Sequence, residues 1–180
     1  MQQRHRPWPL AAAVSFALFC ASTGAVHAEG MGIKEAEALC NGERDATNDD
    51  IIRGCTRVIQ YGPLFAKLKY AYINRAFAYR AKGQCELALA DLNTAINMRA
   101  NKPYVYRTRG SVFLCLKRYD DALADLNYVI EKDPKDAWAY FFRGQVYLQK
   151  GDPARAQADF DQAIKLDPEF GPRVAALTGG

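Results

Sequence analysis

The sequence contains two histidines, His5 and His27, and none after position 27. The side chain best suited to acid–base work near neutral pH, and the commonest metal ligand, is therefore missing from nearly all of the chain. No CxxC pair, P-loop, glycine-rich dinucleotide turn or GxSxG elbow occurs either, so the usual redox, phosphate-binding and nucleophile motifs are excluded. The adjacent carboxylates Asp49-Asp50 and Asp120-Asp121 point apart on a helix and suit the positive end of its dipole better than paired catalysis. Positive charge is scarce as well: the formal net charge is +4, and Arg4 and Arg6 carry two of those charges. Too little remains to neutralise a phosphate backbone, which argues against a nucleic-acid partner. Neither an enzyme nor a cofactor or metal protein is expected. With 49% apolar and 24% charged residues, the rest reads as an ordinary globular chain of binding-module type.

The N-terminus has the three-part layout of a secretory signal peptide. Arg4, His5 and Arg6 form a basic start, Leu10 to Ala21 an apolar stretch, and Val26 and Ala28 flank His27 ahead of Glu29. Residues 1–28 are expected to leave by cleavage after Ala28, with the product periplasmic or secreted. Bulky Phe19 before Cys20 disfavours a lipid-modified cysteine. No later segment approaches the ~20 apolar residues of a bilayer crossing, so no stable membrane insertion is expected after cleavage.

Downstream, the chain repeats itself at one fixed interval, that from Gly110 to Gly144. Tyr106, Arg109, Gly110, Phe113, Ala122, Leu126, Val129 and Pro134 recur as Tyr140, Arg143, Gly144, Tyr147, Ala156, Phe160, Ala163 and Pro168. Stepping back by the same interval gives Tyr72, Arg75, Ala76, Tyr79, Ala88, Leu92, Ala95 and Ala100. Each unit carries two apolar stretches at helical spacing around a short polar turn. Asp152-Pro153 marks a helix start, and Asp133-Pro134 and Asp167-Pro168 mark helix ends.

This pattern resembles the tetratricopeptide repeat from about Lys69 to Phe170. The resemblance implies an all-α fold, a right-handed α-solenoid of helix-turn-helix units at 69–102, 103–136 and 137–170. An N-terminal capping helix pair is expected at 29–68, roughly Ile33 to Arg44 and Asn48 to Tyr61, and a short C-terminal tail at 171–180. Two departures are regular: Arg75, Arg109 and Arg143 stand where that family usually has Leu, and the first unit ends at Ala100 without its Pro. Each of these arginines is followed, at a constant spacing, by an acid: Asp91 after Arg75, Asp125 after Arg109 and Asp159 after Arg143. A structural pair between packed helices is expected, in preference to an anion-binding ladder.

Four cysteines remain after the leader, Cys40, Cys55, Cys85 and Cys115, an even number that favours disulfides in an exported chain. Cys40 and Cys55 flank the 45–49 turn symmetrically and should face each other. Cys85 opens the second helix of one unit and Cys115 closes the first helix of the next, at the same end of the stack. Pairing follows for them too, with two buried thiols filling core gaps as the alternative.

In solenoids that this chain resembles, one side of each first helix lines a concave groove. Here that side carries Tyr70, Ile73 and Phe77, then Tyr104, Arg107 and Ser111, then Trp138, Phe141, Gln145 and Leu148. Aromatic residues and Arg are typical interface anchors. The alternative for Trp138 and Phe141 is a core position beneath the C-terminal segment. Chaperone-binding members of the family hold a C-terminal carboxylate with Lys and Asn; Ile73, Phe77 and Trp138 stand in this groove instead, so that specificity is not carried over. The resemblance implies a protein or peptide partner, for a scaffold or adaptor in the envelope. An accessory domain of a cell-envelope enzyme, such as a cell-wall hydrolase, is the alternative. The short C-terminal closure also leaves self-association through that end open.

Overall fold

A computed structural model describes residues 31–43, 45–62 and 65–179; the expected signal peptide lies outside the described residues. Among the described residues there are nine helices and no strand: α1 Ile33–Cys40, α2 Asn48–Tyr61, α3 Phe65–Ala81, α4 Cys85–Asn97, α5 Pro103–Cys115, α6 Tyr119–Lys132, α7 Ala137–Gln149, α8 Pro153–Leu166 and α9 Phe170–Thr178. Consecutive helices pair as antiparallel hairpins, α1 with α2 through α7 with α8, and each hairpin packs on the next. The result is an all-α solenoid. Its first helices also touch directly, α3 with α5 and α5 with α7.

The register of the repeat is the register of the core. Ala88, Ala122 and Ala156 are buried at equivalent places, as are Leu92, Leu126 and Phe160, and Ala95, Val129 and Ala163. Small residues let paired helix axes approach while the larger ones fill the space beside them. At Gly144 a Cβ would stand 2.6 Å from Phe160 Cε1, so only glycine admits that ring.

The Arg–Asp spacing closes as expected. Arg109 donates from Nε and Nη2 to Asp125 at 2.7 and 2.8 Å; Arg75 does the same to Asp91, and Arg143 to Asp159. The third nitrogen reaches back to the preceding unit: Arg109 Nη1 to Asn93 Oδ1, Arg143 Nη1 to Asn127 Oδ1, and Arg75 Nη1 to Thr56 Oγ1. Each guanidinium also lies over a tyrosine of its own helix, Tyr72, Tyr106 or Tyr140, a cation–π contact that shields it from water. The hydrogen bonds to Asp125 and Asp159 hold Arg109 and Arg143 above the ordinary arginine range against the opposing effect of burial.

The turn inside each unit also repeats. Gly83, Lys117 and Gly151 all have left-handed backbone, with φ of 72°, 58° and 77°. In each turn the following N–H reaches back toward the end of the first helix: Gln84 to Tyr79, Arg118 to Phe113 and Asp152 to Tyr147. This is the Schellman arrangement, in which glycine is favoured because a Cβ crowds the left-handed backbone.

Two boundaries differ from expectation. The first capping helix stops at Cys40 rather than near Arg44, because Gly42 turns the chain with φ of 74°. Beyond the last unit there is a ninth helix where a tail was expected; its Phe170 and Val174 are buried against α7 and α8. That helix closes the apolar end of the stack, as a terminal unit must.

Two outcomes follow. Arg109→Ala leaves the buried Asp125 unpaired and should lower unfolding free energy by about 2–4 kcal/mol, read by urea denaturation; an unchanged midpoint would show that the ladder holds nothing together. Lys117→Gly relieves the one non-glycine residue among the three intra-unit turns and should raise stability by about 1 kcal/mol in the same experiment.

Candidate functional site

The ten groove positions fall into three exposure classes. Tyr70, Phe77 and Trp138 are exposed, at 53%, 37% and 36%. Tyr104, Arg107, Gln145 and Leu148 are half-buried. Ile73, Ser111 and Phe141 are buried: Ile73 and Ser111 lie at the floor of hollows on this side, whereas Phe141 lies in the core, which corrects its reading as a groove lining. Ile73 packs with Ala76, Leu92 and Val105 where α3 meets its neighbours. Ser111 donates its hydroxyl to the Thr108 carbonyl at 2.7 Å within α5. Phe141 has ring centroids of Phe170 at 5.0 Å, Trp138 at 6.0 Å and Phe160 at 6.1 Å, so the covering by the C-terminal segment holds for Phe141.

Trp138 is only partly covered by the same helix. Its ring meets Phe170 edge-on at 4.8 Å and Phe142 at 5.5 Å, and the Arg173 guanidinium of α9 lies 5.1 Å from its centroid. About a third of the residue still faces solvent. An amphipathic ring held by these neighbours and by Phe141 keeps little rotamer freedom to lose on binding.

Three hollows gather the remaining positions. Tyr70, Ile73 and Tyr104 meet Lys69, Arg99 and Lys102 around a cavity of about 230 Å³ between α3 and the turn into α5. Phe77, Arg107, Ser111 and Trp138 meet around one of about 160 Å³ between α3, α5 and α7. Gln145 and Leu148 line a third, about 250 Å³, beside Leu114, Tyr119 and Leu177. All three are smaller than the roughly 300–1,000 Å³ of a small-molecule site.

The polar groups are unevenly engaged. Arg107 Nη1 bonds Asp136 Oδ2 at 2.6 Å, and Asp136 also accepts the Ala139 N–H as the cap of α7. Arg107 is thus partly used in tying α5 to the turn before α7. The central hollow also contains Arg80, Thr108 and Phe142, none of which the sequence reading selected. A signal for Arg80 was present. At the spacing that separates Arg75 from Asp91, Arg80 meets Ile96 rather than an acid, and the equivalent residues of the next units are Leu114 and Leu148.

Two family models described as tetratricopeptide repeat match the chain, one over residues 73–137 and one over 116–179. The chain belongs to the tetratricopeptide repeat family. Tetratricopeptide repeats are protein-interaction modules, and the chain is of that kind. Among solved structures it is similar to MamA from Desulfovibrio magneticus, with a TM-score of 0.64 and 21% identity over 76% of each chain. A second MamA structure gives 0.61 and 20%, covering 78% of this chain and 77% of that one. A tetratricopeptide repeat protein from Parabacteroides merdae gives 0.61 and 19%, over 76% of this chain and 54% of that one. At these identities the likeness establishes the shared solenoid. No curated protein matches the sequence.

The partial cover of Trp138 sets a spectroscopic expectation. In a variant with Trp8→Phe, Trp138 is the sole tryptophan, and its emission should be intermediate between buried and exposed. Ending the chain after Pro168 removes Phe170 and Arg173, so emission should shift to longer wavelength and quenching by iodide should rise. An emission unmoved by that truncation would contradict the α9 contact.

Proposed function

We propose that this tetratricopeptide repeat protein is an exported scaffold or adaptor, whose first-helix face holds a peptide segment or helix of another envelope protein. The observation that carries the reading is the run of exposed aromatic rings Tyr70, Phe77 and Trp138, placed on α3 and α7 beside hollows sized for side chains. Large rings on preformed helices bury much apolar area at small entropic cost, which is why such residues dominate interface energetics.

Export is supported by the leader layout and by the cysteines. Cys40 and Cys55 are joined with Cα atoms 4.5 Å apart, linking α1 to α2. Cys85 and Cys115 are joined at 6.4 Å, linking α4 of one unit to α5 of the next. Disulfides persist in the periplasm or outside the cell and are rare in reducing cytosol. Closing loops of these lengths stabilises by about 3 kcal/mol each in the chain-entropy view.

Protein secreted to an oxidising compartment should contain no free thiol among these four cysteines when unfolded without reductant; finding four reactive groups by thiol titration would contradict the export reading. For the groove, Trp138→Ala should weaken capture of an envelope partner by more than about 2 kcal/mol, measured by titration calorimetry once affinity capture has supplied the partner. An affinity unaffected in a folded Trp138→Ala protein would place the binding face elsewhere.

A further inference from the structure

Arg80 breaks the rule that its neighbours obey. Arg75, Arg109 and Arg143 each meet a carboxylate and a polar group of the preceding unit. Arg80 forms no ion pair among the described residues, and its Nε is buried without a hydrogen-bond partner. A buried donor left unmet is uncommon, and costly where the group is charged. Burial accordingly pulls its guanidinium below the ordinary arginine range.

The surroundings of Arg80 narrow what could meet it. The hollow it lines, about 160 Å³, also holds Phe77, Arg107, Thr108, Ser111, Trp138 and Phe142, and no carboxylate. The two hydroxyls are already committed as donors, Thr108 to the Tyr104 carbonyl and Ser111 to the Thr108 carbonyl. Donors available to a guest therefore come from the guanidinium groups, the two Nη groups of Arg80 and Arg107 in the part that Asp136 leaves. The walls are the rings of Phe77, Trp138 and Phe142, with Phe142 lying 5.9 Å from the Arg80 guanidinium. Apolar walls lower the local dielectric and strengthen a charge-assisted hydrogen bond formed between them.

We propose that this hollow receives the carboxylate of an internal Asp or Glu of the bound segment, with Arg80 as its main partner and the flanking apolar residues of the segment laid on Phe77 and Trp138. This rests on the groove reading above and names the chemistry that the groove selects. The volume admits one side chain, and a planar fork of N–H groups matches a carboxylate in two parallel bonds. An acidic side chain also complements a hollow containing two cationic groups and no anionic one.

The test uses random peptides displayed with their C-termini fused, so that no free terminal carboxylate is offered, and selected on the oxidised protein. Enriched peptides should carry Asp or Glu flanked by apolar residues. In synthetic amidated copies, exchanging that acid for its amide should weaken binding about tenfold or more, and Trp138→Ala should weaken it as well. Arg80→Leu should abolish the difference between acid and amide while keeping the apolar part of the affinity. Leu is the residue at the equivalent positions 114 and 148, so the variant suits the fold; should it fail to fold, Arg80→Lys, which keeps the charge and loses the two-pronged contact, replaces it and should shrink the acid-to-amide difference. Trp138-dependent peptides without acid dependence, or an acid dependence that survives Arg80→Leu, overturn the inference and leave the groove standing. No Trp138-dependent peptide at all overturns both.

Discussion

A guanidinium placed between packed helices must find an anion there, and this array repeats that requirement once in every unit. The constant offset from Arg to Asp carries the chain up one helix, around a short turn and back down to the same height on the next. A two-pronged contact at that height tolerates neither a slide nor a rotation of one helix against the other. Because the third nitrogen holds Asn93, Asn127 or Thr56 of the preceding unit, the same side chain also sets the spacing between units. An apolar pair at these places would give comparable or greater stability, since desolvating two charges offsets most of their attraction. What the ion pair adds is a single permitted register.

The apolar core is arranged around that register. Small residues occupy the near-contact points, Ala76, Gly110 and Gly144 on the first helices and Ala88, Ala122 and Ala156 on the second, and all are buried. The left-handed turn at Gly83, Lys117 and Gly151 reverses the chain in a short path that keeps the hairpin antiparallel. The Cys85–Cys115 bond then joins the first and second units at that turn end, with Cys85 buried and Cys115 exposed.

The same demand for a counter-charge makes Arg80 informative. It lies further along α3 than the ladder residue Arg75, where the other units have leucine, and it lines a hollow bounded by the three first helices. The ladder arginines are consumed by the fold; Arg80 is not. The α9 helix contributes in the opposite sense. By seating Phe170 over Phe141 it removes one aromatic from the surface, and by leaving Trp138 partly open it trims the exposed apolar face to a small set of anchors.

The fold was legible in the sequence because its causes are local and periodic. The recurrence of the whole unit, the Asp-Pro stops and the constant Arg–Asp interval each follow from helix geometry and the length of one hairpin, and the same geometry places Cys40 opposite Cys55. Phe141 was misassigned, and the depth of Ile73 and Ser111 was missed, for the complementary reason: a residue's side of a helix is encoded in spacing, whereas its cover depends on what packs there afterwards. Ile73 is left at the floor of a hollow by the next unit, and Phe141 lies beneath a terminal helix of nine residues that stands outside the repeat. Sequence alone determined the helices of the repeat, their pairing and the ion pairs that align them. Tertiary packing decided which aromatic rings stay in water and that Arg80 lines a hollow between three first helices, because both depend on contacts between units rather than on the spacing within one.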